Sequence, residues 1–86
     1  MPKLPRDISG RELAKLLKKY RYQTVRQAGS HMRLVSNFKD IEHKITIPDH
    51  KPIKIGTLNN ILIEVSDYLK ITKEELVEEL FKKKGG

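Results

Sequence analysis

A short alternating run limits the fold of this chain more than any other feature. From His31 to Ser36, Met32 and Leu34 point one way while His31, Arg33 and Val35 point the other. That period of two is the mark of a strand with one face buried and one open. Gly29, just before it, is able to take a left-handed backbone, so Ala28-Gly29 reads as the turn into this strand. Strand-forming residues from Tyr22 to Gln27, centred on Thr24 and Val25, precede the turn, although so short a run does not reveal which face is buried. Asn37 to Asp40 reads as a loop. His43 to Ile47 then reads as a third strand, with Ile45 and Ile47 inward and Lys44 and Thr46 outward.

Helices flank these strands. Ser9 and Glu12 have capping-box spacing, and Leu13, Leu16, Leu17 and Tyr20 follow as one apolar stripe. Arg11, Lys15, Lys18 and Lys19 occupy the opposite face, either as a solvated row or as phosphate contacts. Pro48 to Pro52 reads as a rigid connection. Thr57 is expected to cap a second helix whose apolar face is Leu58, Ile61, Leu62, Val65 and Leu69. With Lys51 and Lys54 in front of it, that helix start is also a candidate phosphate cradle. Thr72 and Glu75 repeat the capping-box spacing and open a third helix with Leu76, Val77, Leu80 and Phe81 inward. The order α-β-β-β-α plus a C-terminal helix predicts an α+β domain of two layers. In it a three-stranded antiparallel meander carries its helices on one face.

The 86 residues suffice for one domain, 1–86, with residues 1–8 as an extended leader around Pro2 and Pro5 and residues 82–86 as a frayed tail. With no cysteine, a hydrophobic core must supply the stability, and a reducing compartment, the cytoplasm, is expected. No apolar run is long enough to span a bilayer, so no membrane association is expected. The net charge of +7 is unevenly spread: residues 1–56 hold 13 Lys and Arg against 5 Asp and Glu, whereas residues 57–86 hold 5 against 6. The positive field therefore surrounds His31 and favours a polyanion such as nucleic acid over an acidic protein.

His31 is the candidate catalytic group, because an imidazole takes or gives a proton near neutral pH. Metal-free RNA cleavage needs a base for the 2′-hydroxyl and a cation for the phosphorane; His31 with Arg33 and Lys44 on the same open face meets that need. Lys51, Lys54 and the backbone amides at Thr57 are candidates for flanking phosphates. The three histidines lack the spacing of a metal site and have no thiolate partner, so no metal or other cofactor is expected. Ser30 lacks the glycines of a nucleophile elbow, and Gly29 and Gly56 form no nucleotide-binding fingerprint, which argues against acyl transfer, ATP and NAD chemistry.

Three stretches, Leu16-Leu17-Lys18-Lys19-Tyr20-Arg21-Tyr22, Val25-Arg26-Gln27-Ala28-Gly29-Ser30-His31, and Ile47-Pro48 followed by Lys54-Ile55-Gly56-Thr57-Leu58, together resemble the HicA (YcfA-like) toxins of toxin–antitoxin systems. The resemblance runs from about Leu4 to Leu80. It implies a fold like that of double-stranded-RNA-binding domains, an mRNA interferase activity, and neutralisation by a HicB antitoxin that covers the active site. The family's catalytic histidine falls on His31, in a Gly29-Ser30-His31 setting. Two positions depart from the pattern. Arg21 stands where glycine is usual, so a changed turn is expected there. Ala28 replaces a common basic residue, at some cost in RNA affinity. The competing expectation from another class is a non-catalytic double-stranded-RNA-binding module, against which stands the uncharged Leu58-Asn59-Asn60-Ile61. A pure protein-interaction domain is a third.

Overall fold

A computed structural model describes residues 4–5 and 7–81. The expected tail and part of the expected leader lie outside the described residues. The leader's last residue is not free: Ile8 is buried, and its carbonyl accepts the Ile53 amide at 2.9 Å.

Ser9 caps α1 (Gly10–Leu16) in both directions: its hydroxyl accepts from the Glu12 amide at 3.1 Å, and its own amide donates to the Glu12 carboxylate at 2.9 Å. That donated amide, with the Ser9 hydroxyl helping, holds the Glu12 carboxyl below the usual carboxylate range. The apolar stripe read as one helix tightens at Leu17–Tyr20 into a 3₁₀ turn. Arg21 ends it with φ 65° and ψ 22°. The expected change of turn does not occur: Arg21 itself takes the left-handed conformation, at a cost of roughly 1–2 kcal/mol. Its amide donates to the Lys18 carbonyl at 2.9 Å.

Three strands follow, β1 (Gln23–Ala28), β2 (His31–Ser36) and β3 (His43–Pro48), in the antiparallel order β1-β2-β3. Two helices complete the fold, α2 (Ile55–Leu69) and α3 (Lys73–Phe81), the latter opened by the expected Thr72–Glu75 capping box. Met32, Leu34, Ile45 and Ile47 form one face of the sheet and join Leu13, Leu17, Leu58, Leu62, Val65 and Leu76 in a single core. The α+β, two-layer reading holds. The alternation of β2 and β3 leaves the second face of the sheet open.

The expected cap of α2 is wrong. Lys54 is the capping residue, without a side-chain cap bond, and Thr57 is the third residue of the helix. The start is set upstream: Ile53 is buried and its amide is bonded to Ile8, so the extended connection is pinned there and turns at once into helix.

At the far end of the sheet the Tyr22 hydroxyl lies 2.6 Å from His43 Nδ1, and the His43 ring stacks on Tyr68 with centroids 4.7 Å apart. Burial pushes the Tyr22 phenol well above its ordinary value, so the hydroxyl keeps its proton in this contact. Tyr68 in turn accepts from the Lys39 amide at 2.9 Å and donates to the Ile41 carbonyl at 2.5 Å. His43 opens β3 as expected and packs against Tyr68, whose hydroxyl makes the bonds to the 37–42 loop.

Candidate active site

The turn between β1 and β2 is Gly29–Ser30, one residue later than the sequence suggested, because Ala28 is still in the ladder opposite His31. Gly29 has φ 59°, and glycine is favoured at the first position of such two-residue hairpins. A side-chain carbon there would meet no atom within 4 Å, so backbone conformation alone selects glycine. Gly29→Ala is expected to cost about 1 kcal/mol and Gly29→Asn less, since asparagine tolerates the left-handed region. Urea unfolding that ranks alanine level with asparagine would contradict this.

The turn seats His31 as the first residue of β2, exposed, between Ala28 on one side and Pro48 on the other. Arg33, two residues on, shares its face and sits between Arg26 and Thr46. Arg26 reaches that face through an irregularity. Thr24 opposes Leu34 but Arg26 opposes Arg33, so Val25 is an extra, bulged residue. Without it Val25 would oppose Arg33, and Arg26 would turn to the helix side. The result is a shallow depression of about 290 Å³ lined by Arg26, Ala28, His31, Arg33 and Thr46.

Among the described residues neither arginine nor His31 is in an ion pair. The site is therefore a proton-transfer group beside two uncompensated guanidiniums, suited to a phosphodiester. No group of three or more metal-ligating side chains converges among the described residues.

Of the residues singled out from sequence, His31 and Arg33 are brought together, with Ser30 and Gly29 forming the adjoining turn. Lys44 shares the open face but opposes Val35, four positions from Pro48 along β3 or about 13 Å at ~3.3 Å per residue, and lies 3.8 Å from Glu42. Lys51 and Lys54 are exposed in the connection before α2, Thr57 is half-buried in its first turn, and His50 is exposed; none lines the depression. Arg26 and Thr46 are the residues that sequence reasoning did not assign. Thr46 was legible as outward; Arg26 was hidden by the bulge.

No helix among the described residues is long and apolar enough to cross a membrane. In comparisons with known proteins, no curated protein and no solved structure matches the chain. A family model, described as the HicA toxin of bacterial toxin–antitoxin systems, matches residues 10–66, well over half of the chain and the whole of the sheet with its hairpin. The chain belongs to the HicA toxin family.

Proposed function

We propose that this toxin is an mRNA interferase, a metal-independent endoribonuclease that acts in the cytoplasm and is held inactive by a HicB-type antitoxin. The observation that carries the reading is the meeting of His31 with Arg33 and Arg26 on one exposed sheet face. His31 takes the proton of the 2′-hydroxyl as its oxygen attacks the adjacent phosphorus. The guanidiniums of Arg33 and Arg26 neutralise the charge that develops on the phosphorane. The bond to the 5′-oxygen breaks, that oxygen takes a proton from solvent and His31 gives its own back to solvent, leaving a 2′,3′-cyclic phosphate and a 5′-hydroxyl. Ser30 and Gly29 at the turn, Lys44 along β3, and Lys51, Lys54 and the first amides of α2 up to Thr57 bind flanking phosphates.

The test is incubation of the purified protein with a long single-stranded RNA in EDTA, followed on a denaturing gel. Fragments ending in 2′,3′-cyclic phosphate are expected. RNA that is bound but left intact would hand the function to the non-catalytic binding module. On a single strand each phosphate contact contributes about 0.7 to the slope of log affinity against log salt. Arg33→Ala is therefore expected to reduce that slope by roughly 0.7 in filter binding between 50 and 200 mM salt. An unchanged slope would remove Arg33 from the RNA contact.

A further inference from the structure

A second cationic row runs along the other side of the edge strand β1. Arg11, Lys15 and Lys18 stand along the outer face of α1 and the 3₁₀ turn, and with Thr24, Gln27 and Met32 they border a groove of about 360 Å³. Lys18 and Thr24 also line a larger recess, about 820 Å³, together with Arg21, Gln23 and Glu42, whose carboxylate lies 3.8 Å from Lys44, so the two depressions adjoin at these shared residues beside β1. Lys15 and Lys18 are exposed and take part in no ion pair among the described residues. Asp49, the carboxylate at one end of the path, is already neutralised: it accepts from Arg11 Nε at 3.1 Å and from Gln27 Nε2 at 3.2 Å.

This path borders the candidate active site. Arg26 and Ala28 line the depression around His31, and Gln27 between them faces the groove, so one strand's thickness separates the two. The β1 strand lies at the edge of the sheet, and all six of its residues are exposed. Cations spaced along the rim of the groove, Lys15 and Lys18 without a carboxylate partner among the described residues, suit an extended polyanion better than an apolar helix.

We propose that this groove is a track for the RNA strand beyond the cleaved phosphodiester, which crosses the free edge of β1 from the His31 depression and lays its phosphates against Lys15, Lys18 and Arg21. The proposal rests on the ribonuclease reading above and extends the substrate to a strand longer than the depression itself accommodates.

The experiment compares wild type with the Lys15→Ala/Lys18→Ala double variant on a hexanucleotide and on a 30-nucleotide RNA. The expected result is a KM on the long RNA raised about tenfold, for two exposed charge contacts, with kcat and the hexanucleotide kinetics unchanged. An unchanged KM on the long RNA overturns the track, and so does an equal effect on both lengths, which would mark a general loss of charge. If wild type cuts neither RNA, the ribonuclease reading fails by itself. Fluorescence anisotropy with the 30-nucleotide RNA then still judges the groove, and equal affinity of the two proteins overturns it. Polyglutamate is the probe for an acidic polypeptide: binding lost in the variant while RNA affinity stays unchanged assigns the groove to a protein partner and overturns the RNA track.

Discussion

Replacing His31 with alanine is expected to lower single-turnover RNA cleavage by about 10²–10⁴-fold, the usual contribution of general acid–base catalysis. The fold should not suffer. His31 is exposed and lies outside the buried core, so its removal leaves no cavity. Affinity should also stay near the wild-type value, because Arg33 and Arg26, which supply the charge, remain in place as a cross-strand pair next along the same face. Cleavage in EDTA, thermal unfolding and RNA anisotropy measured on the same preparation separate these effects. Undiminished cleavage would remove His31 from the reaction, and a variant that failed to fold would show that its side chain serves the sheet instead.

What was legible in the sequence was local chemistry. The alternation within β2 and β3 assigned the faces of His31 to Val35 and of Lys44 to Ile47, because a period of two leaves no choice once one face is apolar. The Ser9–Glu12 and Thr72–Glu75 pairs placed two helix starts for the same reason: a cap is completed within four residues. Features that depend on distant partners were not legible. The start of α2 is fixed by the bond between Ile53 and Ile8, 45 positions apart, and no capping rule near Thr57 contains that information. Arg21 keeps a left-handed turn that its own propensity resists, a tertiary override of a local preference. The bulge at Val25 left no trace in a run of polar and β-branched residues, and with it went the assignment of Arg26 to the site.

Gly10 is the position where the two kinds of reasoning give opposite signs. As the first residue of α1 it is a helical glycine, and helix propensity alone predicts that Gly10→Ala stabilises, by up to about 1 kcal/mol. The fold forbids it. An alanine methyl would lie 2.0 Å from the carbonyl oxygen of Pro48, 3.0 Å from its carbonyl carbon and 3.2 Å from Asp49 Cα, all of them backbone. That backbone has little freedom to retreat: the Asp49 amide is bonded to the Ser30 carbonyl at 2.7 Å, Pro48 opposes His31 in the ladder, and Gly10 itself donates to the His50 carbonyl at 3.0 Å. Gly10→Ala is therefore expected to cost about 3 kcal/mol or more, at the upper end for overpacking. That corresponds to a fall in Tm of roughly 12–24 °C for a domain of this size. Gly56→Ala is the control, also a glycine in the first turn of a helix but with no atom within 4 Å of the added carbon, and it should leave stability unchanged or raised. Because the displaced segment is the strand end opposite His31, Gly10→Ala should also lose cleavage at temperatures where circular dichroism shows it folded. Equal urea midpoints for wild type and Gly10→Ala would mean that α1 does not sit against the Pro48–His50 connection, and that the capped helix and the catalytic hairpin are not mechanically joined.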